Sequence, residues 1–87
     1  MITQIHRSDT FEKSYKKLPK NIKNKFEKQL NFLVSDVRHP SLRARKMGGE
    51  NVFEARVDQH YRFSYEINDD IALVLAVGPH DEGLGKK

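Results

Sequence analysis

The chain has 87 residues, with 16 lysines and arginines against 12 acidic residues and no cysteine. The missing cysteine excludes disulfide staples, thiolate zinc sites and thiol catalysis, and no apolar stretch approaches the ~20 residues that span a bilayer. One domain over residues 1–87 is expected, in the cytoplasm and off the membrane, because the opening MITQIHRSDTF has no apolar signal core.

Taken in order, the elements read β-α-α-β-β-β-β. Residues 1–6 (MITQIH) alternate weakly, as a strand does. Asp9 and Glu12 have the spacing of a capping box, opening a helix that runs to about Leu18 with Phe11, Tyr15 and Leu18 on one face. Pro19 ends it and suits the first turn of a second helix. There Ile22, Phe26, Leu30, Leu33, Val34 and Val37 form one apolar stripe, expected to pack on a sheet. The break comes at His39-Pro40, because the residue before proline avoids the α region. Residues 42–47 (LRARKM) read as a strand turned by Gly48-Gly49, with Arg43 and Arg45 on one face and Ala44 and Lys46 on the other.

Residues 51–83 are the most informative. Phe53, Ala55 and Val57 alternate with Glu54 and Arg56; Tyr61, Phe63, Tyr65 and Ile67 alternate with Arg62, Ser64 and Glu66. A period of two separates a core face from a polar face. Residues 58–60 and 68–70 have turn chemistry. Paired as a hairpin, the two strands put Arg56 and Arg62 on the same polar face. The next run, residues 71–77, delivers Gly78-Pro79-His80-Asp81-Glu82 to the end of the sheet. The expected fold is α+β: two N-terminal helices on one face of a small, mostly antiparallel sheet of four or five strands, with the other face free. Arginines beside a histidine on that face suit a phosphodiester.

Charge is unevenly spread. Residues 1–50 carry 12 lysines and arginines against 5 acids, and residues 51–87 carry 4 against 7. A basic half suits a polyanion or an acidic protein partner. The plainer alternative, lysines that merely solvate a helix face, fits Lys20, Lys23, Lys25 and Lys28.

Over nearly its whole length the chain resembles the RelE/ParE toxins of bacterial type II toxin–antitoxin modules. The matching segments are FEKSYKKL with Pro19 (residues 11–19), HPSLRARKMGG (39–49), FEARV (53–57), YRFSYEI (61–67) and LAVGPHDE (75–82). The resemblance implies a RelE-like fold. For the RelE branch it implies ribosome-dependent mRNA cleavage that inhibits translation, and for the ParE branch inhibition of DNA gyrase without hydrolysis. The ending Val77-Gly78-Pro79-His80-Asp81 is similar to the RNase branches, in particular to YafQ-like toxins. It departs from RelE: His80 stands where RelE has an arginine, and no tyrosine follows. The resemblance also implies a cognate acidic antitoxin, with a monomeric toxin inside a hetero-oligomer.

Metal-free RNA cleavage by 2′-hydroxyl attack needs a base, an acid for the leaving 5′-oxygen, and cations on the phosphorane. His80 has an ordinary pKa, ~6.5, that suits either proton transfer. Arg56 and Arg62 suit the non-bridging oxygens, and Asp81 or Glu82 suits orienting the imidazole or acting as the partner base. Arg43, Arg45 and Lys46 are placed to clamp neighbouring phosphates of mRNA or the ribosome. The reading therefore makes His80, Arg56, Arg62 and Asp81 catalytic, with no metal and no cofactor. The alternatives are structural: His80-Asp81 capping a turn, and Arg56 or Arg62 in cross-strand ion pairs with Glu54 and Glu66. His6, His39 and His60 are assigned to surface or turns. A zinc site from His60, His80 and Asp81 has the ligand types without metal-ligand spacing. A gyrase inhibitor or a catalytically silent binding module using the same basic surface is the competing function.

Overall fold

The computed structural model describes residues 2–47 and 51–79. The element order is β1 (Gln4–Arg7), α1 (Asp9–Lys16), α2 (Lys20–Ser35), a 3-10 turn at Pro40–Leu42, β2 (Arg45–Lys46), β3 (Val52–Arg56), β4 (Tyr61–Asn68) and β5 (Ile71–Pro79). The sheet runs β1-β5-β4-β3-β2. Its last four strands are antiparallel neighbours, while β1 lies parallel to β5 with Gln4 opposite Ile71. The helices cover one face. Phe26 of α2 stands edge-on to Phe63 of β4 at 5.1 Å between ring centres and meets Phe11 of α1 at 5.3 Å. All three rings are fully buried, each contributing on the order of 2–3 kcal/mol by removal from water.

The first helix starts one residue before the expected cap. Ser8, not Asp9, is the N-cap: its Oγ accepts from the Phe11 amide at 2.9 Å, leaving Asp9 and Glu12 in the first turn, where they favour the helix dipole. Serine is wanted here for a second reason. The β4–β5 register slips between Ser64 and Tyr65, leaving Leu75 as the extra residue of a bulge. The Ser8 hydroxyl donates to the freed Leu75 carbonyl at 3.0 Å. Ser14 serves the same strand, its Oγ accepting from the Val77 amide at 3.3 Å. The α1 cap and the β5 bulge thus satisfy one another.

The second helix also ends earlier than its apolar stripe suggests. The Asp36 amide makes the last bond, to Phe32, and Asp36 leaves the helix with φ −162°. Its carboxylate then accepts from the Arg38 amide at 3.0 Å, a local turn that competes with helix continuation. Val37 consequently falls off the buried face and stays 39% exposed, while Gln29 joins Ile22, Phe26, Leu30 and Leu33 in the interior.

The strand expected over residues 42–47 is reduced to Arg45–Lys46. His39 caps a 3-10 turn through Nδ1, which accepts from the Ser41 amide, and the turn drives Leu42 into the core with no exposure. Arg43 follows in the left-handed region at φ 46°, so the chain cannot become extended until Arg45. At the other hairpin, Asp69 takes φ 56° in a two-residue turn, a conformation aspartate tolerates. Among the described residues no helix is long and apolar enough to cross a membrane.

Candidate functional site

The polar face of the sheet carries a depression of about 310 Å³ lined by Arg43, Arg45, Glu54, Arg56 and Arg62. Strand register builds it. Arg56 sits directly across from Arg62, Glu54 across from Ser64, and Arg45 across from Glu54. The Val57 amide bonds the Tyr61 carbonyl at 2.9 Å, which flanks the Arg56–Arg62 pair rather than joining it. That pair is therefore of the non-hydrogen-bonded kind, in which side chains stand closest. Like charges directly opposite are destabilising, so these arginines oppose folding unless an anion lies between them.

Each arginine is held differently. Arg62 donates through one terminal nitrogen to the carbonyls of Asp58 (2.9 Å) and Tyr61 (3.2 Å). The turn offering them is itself fixed by the Asp58 carboxylate, which accepts from the His60 and Tyr61 amides at 2.8 and 2.9 Å and pairs with Lys25 at 3.3 Å. Burial alone would raise the Asp58 pKa, but those donors and Lys25 outweigh it and hold the carboxyl below its ordinary value. Among the described residues Arg62 pairs with neither Glu54 nor Glu66. Among the described residues Arg56 has no ion pair either, and its buried Nε has no hydrogen-bond partner there. Burial first, then repulsion from Arg43 and Arg62, pulls its guanidinium below the usual arginine range.

Glu54 is the member that sequence reasoning did not assign to the site. It is 3% exposed, bonds Arg45 Nε through Oε1 at 3.2 Å, and leaves Oε2 without a partner among the described residues. Strand parity with Arg56 was the available signal. Gln29 was missed as well, although it sits within the apolar stripe of α2. Its amide nitrogen donates to the carbonyls of Ser41 (3.0 Å) and Arg56 (2.8 Å), tying the turn before Arg43 to the end of β3.

The structure brings Arg43, Arg45, Arg56 and Arg62 together and sets Lys46 on the opposite face, across from Phe53. His80 and Asp81 lie outside the described residues. Gly78, the register partner of Arg62, has no heavy atom of the described residues within 4 Å of where a Cβ would stand. His6 and His60 are exposed, and His39 stacks on Phe32 at 3.9 Å. No group of three or more His, Asp or Glu among the described residues is arranged to hold a metal. A cluster of four guanidiniums around one buried carboxylate can bind an oxyanion bidentately and stabilise charge developing on it.

A profile of the ParE toxin of type II toxin–antitoxin systems, parDE, matches residues 5–84. The chain belongs to this ParE toxin family. Solved structures of related toxins share its fold. RelE in the archaeal RelE–RelB complex of Pyrococcus horikoshii OT3 superposes with a TM-score of 0.78 at 21% identity, over 95% of this chain and all (100%) of that one. YafQ in the E. coli DinJ–YafQ complex gives 0.76 at 20%, over 93% and 96%. RelE in the E. coli RelBE complex gives 0.72 at 18%, over 86% and 93%. No curated protein matches the chain. The fold is thus that of the RelE/ParE toxins, two helices on a five-stranded, mostly antiparallel sheet.

Proposed function

We propose that this ParE-family toxin is a ribosome-dependent mRNA endoribonuclease that arrests translation in the cytoplasm, held in check by a cognate acidic antitoxin. The observation that carries the reading is the Arg56–Arg62 pair, two guanidiniums at the closest cross-strand position with Arg43 and Arg45 beside them. In the reaction the 2′-hydroxyl attacks the adjacent phosphorus, giving a 2′,3′-cyclic phosphate and a free 5′-hydroxyl. Arg56 and Arg62 hold the non-bridging oxygens as negative charge builds on them. Arg43 and Arg45 hold flanking phosphates, and Lys46, on the other face, meets ribosomal RNA. His80, which follows Pro79 in sequence, carries one of the two proton transfers, and Asp81 orients its ring. No metal or cofactor enters the scheme. Support for an antitoxin comes from the neighbours, which were solved with DinJ and RelB.

The match to a ParE profile favours a second reading, inhibition of DNA gyrase through the same cationic face. Primer extension on mRNA in a translation reaction separates the two, with wild type, His80→Ala and Arg62→Ala compared. Cuts inside the ribosome-bound codon that vanish in both variants support the nuclease. Uncut message together with inhibited gyrase supercoiling overturns it in favour of the second reading.

A further inference from the structure

The two facing arginines are held in different ways, and the difference concerns charge. Arg56 is tied through its backbone carbonyl, which accepts from Gln29 at 2.8 Å. Arg62 is pinned at the guanidinium itself, one terminal nitrogen donating to the carbonyls of Asp58 and Tyr61 at 2.9 and 3.2 Å. Both acceptors are neutral, so the pin fixes the group without spending its charge. A carboxylate in their place would hold the arginine as firmly but would compete with any phosphate for it. Arg62 Nε and the second terminal nitrogen make no hydrogen bond among the described residues, and both stay available to an oxyanion.

A carbonyl pins only as well as its own turn is fixed, and here an acid does the fixing. Asp58 Oδ1 accepts from the His60 and Tyr61 amides at 2.8 and 2.9 Å, closing the turn between β3 and β4. That puts a carboxylate on the very residue whose carbonyl holds Arg62. Its second oxygen is occupied from the helix layer, where Lys25 Nζ of α2 stands 3.3 Å from Oδ2. We infer that the Lys25–Asp58 pair is a positioning device for RNA cleavage: Asp58 fixes the turn that orients Arg62, and Lys25 absorbs the Asp58 charge so that Arg62 keeps its own for the phosphate. This rests on the nuclease reading, since it takes Arg62 to hold a non-bridging oxygen.

Closing the hairpin would be the plainer role for the same bonds, and it makes different demands. Closure needs an acceptor at residue 58 and nothing from Lys25, a half-exposed partner whose pair adds little to stability. Positioning needs both. An oriented guanidinium serves the transition state more than capture of the RNA, because its charge attracts phosphates wherever the side chain points. Losing the orientation therefore lowers the cleavage rate at saturation and leaves the half-saturating concentration nearly unchanged. Losing Lys25 keeps the turn closed but frees the Asp58 carboxylate to draw on Arg62. Making residue 58 neutral removes that competitor again.

The test follows cleavage of message on programmed ribosomes by the full-length chain, as a maximal rate and a half-saturating concentration. Asp58→Ala is expected to lower the maximal rate about thirtyfold, with the half-saturating concentration moving less than about threefold. Asp58→Asn keeps an acceptor for both amides and stays within about threefold of wild type. Lys25→Met loses about fivefold, and combining it with Asp58→Asn restores the rate of Asp58→Asn alone. Adding Asp58→Ala to Arg62→Ala costs no more than about twofold further, because Asp58 acts through Arg62. Asp70→Asn, in the hairpin at the other end of β4, changes neither quantity. Urea melts establish that each variant is folded in the assay; if Asp58→Ala is not, the Lys25→Met and Asp58→Asn comparison decides alone. Full activity in Asp58→Ala overturns the inference, as do independent, multiplying losses in the Asp58–Arg62 double variant. A Lys25→Met loss that Asp58→Asn fails to relieve overturns the charge-absorbing role and assigns Lys25 to direct contact with the ribosome. A wild type that leaves message uncut removes the nuclease reading and this inference with it, whereas normal cutting by every variant removes this inference alone.

Discussion

Replacing Gln29 with methionine isolates the internal brace of the arginine site. The substitution keeps an unbranched side chain of similar length and removes its hydrogen-bonding amide. Two carbonyls then lose their donor, Ser41 at 3.0 Å and Arg56 at 2.8 Å, and the Ser41 hydroxyl loses an acceptor at 3.3 Å. The Arg56 carbonyl has no substitute in the ladder. It belongs to a non-hydrogen-bonded pair toward β4, and β2 has already ended where its other neighbour would be. A buried carbonyl left unpaired costs about 1–3 kcal/mol. Both lie near an end of the sheet, so the lower half of that range applies to each and the sum is about 2–4 kcal/mol. For a domain of this size, that is a large part of a total of roughly 4–13 kcal/mol. With a urea slope of about 1 kcal/mol/M for a small protein, the unfolding midpoint falls by about 2 M or more at unchanged slope. The same variant binds oligoribonucleotides more weakly, because Arg43 and Arg56 lose their common tether. A midpoint shift worth less than about 0.5 kcal/mol would show that water replaces the amide, and the brace would have no energetic standing.

Arg56→Leu removes one of two facing cations, so it should hold or raise the urea midpoint while lowering mRNA cleavage about a hundredfold; a clear loss of stability would show that Arg56 is structural. The Asp58 carboxyl is held below its ordinary 3.8 in the fold, so its contribution to stability is present above pH 3.8 and lost as the pH falls through the depressed value. The advantage of wild type over Asp58→Asn should therefore shrink between pH 5 and about pH 3 in urea titrations, and a gap that widens on acidification refutes it. Burial pushes the Tyr65 phenol up to about 12, so its contribution is complete below pH 10 and lost as the pH rises toward 12. Absorbance at 295 nm should show a late phenolate step that Tyr65→Phe lacks; an unchanged titration in that variant argues against it.

The sequence made the strands and their facing legible because alternation reports burial directly. Phe53, Ala55, Phe63 and Tyr65 go one way, and Glu54, Arg56 and Arg62 the other, just as parity requires. Reading failed where a local hydrogen bond outweighed the pattern. Asp36 ends α2 before Val37, although the apolar spacing continues, and the 3-10 turn pulls Leu42 inward, although LRARKM alternates like a strand. Ser8 was passed over as a cap because its second partner, the Leu75 carbonyl, is distant in sequence and exists only through a bulge. Glu54 was placed on the polar face and weighed as an ion-pair partner of Arg56 or Arg62; its burial and its pairing with Arg45 depend on the register across to β2, which alternation does not report. The helical spacing that hid Gln29 among leucines counts positions, not the carbonyls that await a donor above them.

The parallel pairing of β1 with β5 carries a consequence for synthesis. Gln4–Arg7 can take their place only once residues 71–74 have left the ribosome, and Ser8 can cap α1 against Leu75 no sooner. The first strand translated is thus among the last to be closed, a long-range contact of the sort that slows folding. While the chain is nascent, the helical hairpin has no finished sheet to rest on. Until β5 is available, neither the sheet nor the contact that ties the α1 cap to it can close, so the order of synthesis runs against the order of assembly.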